Sequence, residues 1–417
     1  MVPNGWKVKT LGSLTDKIGS GKTPKGGSST YKSFGIPLIR SQNVLWGSLD
    51  LSDVAYIDEE QHKSMKNSSV IESDVLLNIT GASIGRVAIS TLKEANVNQH
   101  VCIIRPKKDL DNNFLQYNLL SFEGQKQIER FQAGGNRQGL NFEQIKSFKI
   151  MLPPLPEQQK IAKILTTWDK AIDTTERLID NSKQQKKALM QQLLTGKKRL
   201  LDDNGKPFEG EWDEFQLSDL ALSGKNNFTD GDWVESVHIK ESGCRLIQTG
   251  NIGVGYFKNK NKKYISQDSF DELKCTEVHV GDLLICRLAE PAGRACIVPD
   301  IGESKMLTSV DVIIMRTDTT KALAKYLSYY FSLNHTLHRV SALCGGSTRS
   351  RVSRSVLGKM KLSLPNVQEQ QKIATVLNNA DKEIELLEQQ LADLQQEKKA
   401  LMQVLLTGKK RVVVDGC

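Results

Sequence analysis

Glu157-Gln158-Gln159-Lys160-Ile161-Ala162 occurs a second time in this chain, letter for letter, as Glu369-Gln370-Gln371-Lys372-Ile373-Ala374. The register between the copies then holds. Lys186-Lys187-Ala188-Leu189-Met190-Gln191 returns as Lys398-Lys399-Ala400-Leu401-Met402-Gln403, and Leu193-Leu194-Thr195-Gly196-Lys197-Lys198-Arg199 as Leu405-Leu406-Thr407-Gly408-Lys409-Lys410-Arg411. About 25 of the 43 positions from 157 to 199 match those from 369 to 411 without an insertion, which marks a duplicated unit.

Inside each copy the apolar positions alternate steps of four and three. The first seam reads Ile161, Leu165, Trp168, Ile172, Thr175, Ile179, Ser182, Lys186, Leu189, Leu193. The second reads Ile373, Leu377, Ala380, Ile384, Leu387, Leu391, Leu394, Lys398, Leu401, Leu405. This is the a/d spacing of a coiled coil. Pro156 suits a first helical position with Glu157 in the first turn, and Gly196 and Gly408 stand where a left-handed residue ends a helix, each followed by Lys-Lys-Arg. A helix from Pro156 to Thr195 is about 60 Å long. Lys186 and Lys398 interrupt both seams at one step, as snorkelling side chains or as register-setting or partner-contacting groups. Because the first helix delivers the chain to whatever precedes the second, the two are predicted to pair antiparallel with approximate two-fold symmetry, the symmetry of inverted half-sites in B-DNA.

The segment before each helix repeats in outline only. Trp6-x4-Leu11-x2-Leu14 is echoed by Trp212-x4-Leu217-x2-Leu220, and Leu38-Ile39-x3-Asn43 by Leu246-Ile247-x3-Asn251. Asp74-x-Leu76-Leu77 before Gly85-Arg86 matches Asp282-x-Leu284-Ile285 before Gly293-Arg294, and Gly134-Gly135-Asn136-Arg137 parallels Gly345-Gly346-Ser347-Thr348-Arg349. Short apolar runs such as 74–77, 87–89, 282–285 and 312–314 predict strands, while Phe114 to Arg130 and Lys321 to Leu333 predict helices. The chain therefore divides into mixed α/β domains over residues 1–152 and 205–363 and helical regions over 153–204 and 364–417. Shared apolar positions with divergent polar ones predict one fold carrying two different surfaces.

A chain of 417 residues with 39% hydrophobic and 25% charged residues has the composition of a soluble globular protein, without an apolar stretch of membrane-spanning length. The opening Met1-Val2-Pro3-Asn4-Gly5-Trp6 has neither the basic nor the apolar region of a signal peptide, which predicts a cytoplasmic protein. Seven cysteines at irregular gaps, with no C-x-x-C pair, predict reduced core thiols rather than disulfides or a zinc ribbon. The net charge of +9 is compatible with a polyanionic partner.

Several catalytic motifs fail on inspection. Gly21-Lys22-Thr23 resembles the end of a phosphate-binding loop, but Asp16 stands where its first glycine is required and Pro24 follows at once. Leu152-Pro153-Pro154-Leu155 lacks the flanking residues with which amino-methyltransferases grip a flipped base. His335-x-x-His338 has no evident third ligand, so a surface or core pair is the expected reading and no metal site is assigned. No nucleophile elbow, helicase signature or nuclease carboxylate cluster is found, so no catalytic residue is assigned.

The doubled plan resembles the specificity subunits of type I restriction-modification systems. The helix starts Leu152-Pro153-Pro154-Leu155-Pro156-Glu157-Gln158-Gln159 and Leu364-Pro365-Asn366-Val367-Gln368-Glu369-Gln370-Gln371, and the exit Leu194-Thr195-Gly196-Lys197, look like theirs. Copy two departs in having Asn366-Val367-Gln368 where copy one has its second proline pair. The resemblance implies two target-recognition domains, each reading one half of a bipartite, asymmetric DNA sequence, with the paired helices setting the spacer. It implies double-stranded DNA, two methylation subunits and motor-nuclease restriction subunits as partners. S-adenosylmethionine would sit on the methylation subunit, and this chain would bind no cofactor itself.

By alignment with the family's loops, the DNA-contacting residues would be Lys22, Thr23, Lys25, Arg40, Gln42, Asn43, Asn136 and Arg137 in the first domain. In the second they would be Lys225, Asn227, Gln248, Asn251, Arg349 and Arg351. Arg pairs with guanine and Asn or Gln with adenine, whereas Lys fixes phosphates. Asn43 with Asn251, and Arg86 with Arg294, hold equivalent places, which suits scaffolding or phosphate contact better than sequence readout. Two alternatives stay open: a specificity subunit serving methylation only, and a coiled-coil adaptor whose α/β domains bind proteins.

Overall fold

A computed structural model of the chain describes residues 2–24, 26–132, 139–288, 290–345 and 350–414. The chain forms two compact units, one of Met1–Arg177 with Gln389–Cys417 and one of Leu178–Glu388. Each unit thus holds one α/β domain and a stretch of both long helices, which run Leu155–Leu193 and Val367–Leu405. Their ends lie where the sequence sets them: Gly196 and Gly408 both have positive φ, of 71° and 66°.

In the first unit, strands Thr15–Ser20, Val101–Pro106, Val75–Asn78 and Val87–Ile89 make an antiparallel sheet in that order. A second sheet contains Ala55–Ile57, Ile36–Ile39, Ala95–Val97 and Ser69–Val70, with the middle pair parallel. Strand 75–78 is buried along its length, because alternate side chains face two cores. Val75 and Leu77 join the helix-side core with Ile161, Leu165 and Leu405, while Leu76 packs with Ile39, Val97 and Ile103.

The second unit repeats this plan. Phe228–Asp230, Val312–Met315, Leu283–Cys286 and Ala295–Ile297 form its central sheet. Leu283 and Ile285 face a core with Leu193, Ile373 and Leu377, and Leu284 and Cys286 face the other. In both units a two-stranded ribbon, Lys7–Thr10 with Lys149–Leu152 and Asp213–Gln216 with Lys361–Leu364, leads the chain into a long helix. The predicted strands all appear.

The predicted helices at 114–130 and 321–333 do not run as single rods. Ser121 is extended and caps Gly124, splitting the first into Asn112–Leu120 and Phe122–Arg130. The second is Ala324–Tyr330, followed by a separate helix Asn334–Ala342. His335 and His338 are exposed on the latter.

Within each unit the two helical stretches run in opposite directions. In the first, Glu157 pairs with Arg411 and Asp169 with Lys398; in the second, Glu369 pairs with Arg199 and Asp381 with Lys186. Rising numbers on one stretch meet falling numbers on the other. The two seam lysines have defined partners, and each aspartate also accepts a hydrogen bond from a domain tyrosine: Tyr117 on Asp169, Tyr329 on Asp381. An ion pair between the two stretches is what a register-setting lysine requires. Gln158 and Gln370 fasten each helix start to its own domain, donating to Asp109 O and Pro153 O, and to Lys321 O and Pro365 O. The seam is most deeply buried at its ends, at Ile161, Leu165, Leu193, Ile373, Leu377 and Leu405. Trp168, Ile172, Leu189, Leu387, Leu391, Leu394 and Leu401 are half-buried, and Ile179 and Ile384 are buried.

Cys102, Cys244, Cys286 and Cys296 are buried free thiols, and burial pushes Cys102 and Cys296 up to about 12.

Candidate nucleic-acid interface

Loops far apart in sequence meet at one edge of each domain. In the first unit the backbone after strand 15–20 bonds to the turn at 98–100, through Gly21 N to Asn98 O at 3.2 Å. Asn98 N bonds Ile39 O at 3.1 Å, and Ile79 N bonds His100 O at 3.0 Å. Gly21 is required here: a Cβ would lie 1.6 Å from Val97 O. Thr80 bridges Gly139, so five segments converge.

The second unit builds the same edge. Asp232 N bonds Thr308 O at 2.8 Å, Ser309 N bonds Ile247 O at 3.0 Å, and Arg287 N bonds Asp311 O at 2.8 Å. Gly231 takes the part of Gly21, its Cβ position 2.4 Å from Thr308 O. A cavity of 360 Å³ opens there, lined by Trp233, Gln248, Asn251, Leu288, Val310 and Asp311 among others. Trp233 is 72% exposed.

The matching backbone bonds set the alignment of the two edges. The counterparts of Lys22 and Thr23 are Asp232 and Trp233, not Lys225 and its neighbours. Lys225 and Asn227 sit before strand 228–230, whose other end leads to the loop edge, and Asn227 donates to Ser223 O. Four extra residues between Leu220 and Gly231 put Gly224-Lys225 out of step with Gly21-Lys22.

The remaining sequence-selected residues fall into distinct roles. Lys22 and Thr23 are exposed at the loop edge. Arg40 donates to Asp53 O at 2.7 Å, and Gln42 to the Asp53 carboxylate at 2.8 Å. Asn43 is buried: it accepts from Arg40 N and donates to Asp50 O and Asp53 O. Asn251 repeats this on Gln248 N, Lys258 O and Lys260 O. Both amides are spent inside their turn, so they shape the loop and leave nothing to present to a ligand. Arg294 likewise donates to four backbone oxygens, Thr249, Ile252, Leu288 and Pro291. Arg351 pairs with Asp311 at 3.3 Å. Lys25, Asn136, Arg137 and Arg349 lie outside the described residues.

The two edges carry different chemistry. In the first unit Thr23 donates to Gln99, Gln99 lies 3.0 Å from His100 Nε2, and His100 Nδ1 lies 2.6 Å from Thr80. In the second, buried Arg287 pairs with Asp230 at 3.0 Å and Asp311 at 3.9 Å and donates to Val310 O, with Arg354 also on Asp230 and Arg351 on Asp311. Burial lowers the Arg287 pKa, with Asp230 opposing. Sequence reading passed over Thr80, Gln99, His100, Trp233, Arg287 and Asp311. The available signal was the polar run Asn98-Gln99-His100 between two apolar strands and its counterpart Ser309-Val310-Asp311. Among the described residues no group of three or more His, Cys, Asp or Glu stands together as a metal site, and no helix is long and apolar enough to cross a membrane.

The type I restriction modification DNA specificity domain matches twice, over residues 3–183 and 209–396. This chain belongs to that family. It is 23% identical to the Methanocaldococcus jannaschii type I restriction enzyme MjaVIII specificity subunit, over 99% of this chain and 94% of that one. The Escherichia coli EcoKI specificity subunit is 24% identical over 79% of this chain and 72% of its own. Among solved structures, the HsdS subunit from Thermoanaerobacter tengcongensis superposes with a TM-score of 0.54 at 16% identity over 98% of both chains. The type I restriction-modification S subunit from M. genitalium gives 0.57 at 15% over 97% of both. At such identity the structures show a shared fold. As a member of the specificity family, the chain carries two target-recognition domains, one in each unit.

Proposed function

We propose that this chain is the DNA-recognition subunit of a type I restriction-modification enzyme and reads a bipartite, asymmetric duplex with one domain per half-site. The observation that carries this reading is the pair of equivalent loop edges on one scaffold with unlike side chains: Thr23, Gln99 and His100 against Trp233, Asp311 and Arg351. Equivalent backbone frames would present each reader to its own half-site in the same way, while different heads select different bases.

The chain supplies no catalytic residue in this reading. Methylation subunits, two of them, carry S-adenosylmethionine, and restriction subunits join for cleavage, all in the cytoplasm. A groove beside the helices in each unit supports docking of a partner. One of 850 Å³ is lined by Trp46, Phe122, Ile172, Lys398, Met402 and Leu406 among others; the other, of 760 Å³, includes Lys186, Met190, Tyr256, Tyr329 and Asp381.

Exchange of residues 1–152 for the first domain of another family member tests the reading. Methylated motifs in the host genome should then change in one half only, and a change in both halves rejects independent readers. Titration of duplex DNA by the chain with its methylation subunit should weaken steeply as salt rises, since phosphate neutralisation releases counterions. Affinity for random duplex that is absent at low salt favours the protein-binding adaptor.

A further inference from the structure

We propose that Gln99 is a specificity-determining residue of the first domain and that it selects an adenine, an inference that rests on the DNA-recognition reading above. Gln99 is exposed at the tip of the turn between strands Ala95–Val97 and Val101–Pro106, where the loops at 21–24, 40–43 and 79–84 converge. Exposed glutamines are ordinarily free rotors. This one is held at both ends of its amide: Thr23 donates to Oε1, and Nε2 donates to His100 Nε2 at 3.0 Å.

The imidazole is itself anchored. With Gln99 donating to Nε2 of His100, the other ring nitrogen, Nδ1, faces Thr80 Oγ1 at 2.6 Å. The His100 backbone is fixed as well, N to Asn98 Oδ1 at 3.1 Å and O to Ile79 N at 3.0 Å. After these bonds Gln99 keeps one N–H and one lone pair on Oε1. A donor beside an acceptor at amide spacing matches N7 and N6 of adenine in the major groove. Pre-setting the amide removes the entropy cost of orienting it on binding. Thr23, His100 and Thr80 are then positioning residues. The equivalent turn of the second unit has Val310 in place of Gln99, so that domain reads its half-site by other means.

The test is enrichment of duplexes from a randomised library by the full chain co-expressed with its methylation subunit. Wild type should enrich a two-part consensus. Gln99→Ala should lower the preference at one A·T pair of one half-site by about 10- to 100-fold, with every other position kept and thermal unfolding unchanged. Gln99→Glu, an acceptor only, should shift that position toward cytosine. His100→Ala should weaken the same position to a smaller degree. Unchanged enrichment in Gln99→Ala, uniform weakening at all positions, or a sensitive position that is not adenine overturns the assignment. A wild-type complex that enriches no sequence overturns the recognition reading instead, before any variant is compared.

Discussion

Glu157, in the first turn of the first long helix, closes on Arg411 through hydrogen bonds of 2.6 and 2.7 Å across 254 residues of chain. Glu369 and Arg199 repeat the contact at 2.7 and 2.6 Å. Both carboxylates are buried, and both bonds raise the pKa of their arginine. One difference separates them: Glu157 also accepts from Trp6 Nε1 at 3.1 Å, whereas the Trp212 indole nitrogen has no partner among the described residues.

That difference predicts unequal costs. Arg199→Met strands Glu369 without a side-chain donor and should cost about 3 kcal/mol. Arg411→Met leaves Glu157 its tryptophan, and Arg411 is 43% exposed, so solvent screening makes this loss smaller. Urea midpoints of the two variants decide it, and equal losses would refute the role given to Trp6.

Lys186 and Asp381, with Tyr329 donating to the aspartate at 2.7 Å, tie a domain to both helical stretches of its unit. A double-mutant cycle of Lys186→Met and Asp381→Leu should give a coupling of about 1 kcal/mol, since the pair is partly solvated. Additive single effects would remove its register-setting role.

Tyr117 and Tyr329 predict a pH dependence. Burial first, then the hydrogen bond to Asp169 or Asp381, raises both phenols above the ordinary tyrosine range. Below about pH 10 folded and unfolded chains both hold these protons; above it the unfolded chain releases them first, so stability falls as pH rises. Unfolding midpoints between pH 8 and 11 should decline less steeply in Tyr329→Phe than in wild type.

Gly21→Ala places a methyl 1.6 Å from Val97 O and should cost more than about 3 kcal/mol, while Gly19→Ala, with no atom within 4 Å, should be tolerated. Comparable melting temperatures for the two variants would contradict this account of the loop edge.

Asn43→Ala and Asn251→Ala each remove three hydrogen bonds from a buried turn. Each should lower stability by about 2 kcal/mol and leave base preference intact. A variant of normal stability with altered preference would return these amides to the recognition surface.

The long helices and the buried strands were legible in the sequence because they depend on local periodicity, the duplication because its copies match letter for letter, and the antiparallel sense because chain connectivity requires it. A seam at steps of three and four, a glycine at the helix end and an apolar run each act within a few residues of themselves. Helix breaks were less legible: Ser121 interrupts a helical pattern by capping Gly124, and capping competes with continuation on a fine local balance. The loop edge was the least legible. Thr23 meets Gln99 across 76 residues, and Arg287 meets Asp230 and Asp311 from separate segments of the chain. Nothing near Thr23 in the chain announces Gln99, and a short Gly-Lys match pointed to Lys225 instead of Trp233. Sequence alone determined which elements form and that they form twice. Only tertiary structure decided which polar side chains meet, because such meetings are fixed by the packing of distant strands and leave no period in the chain.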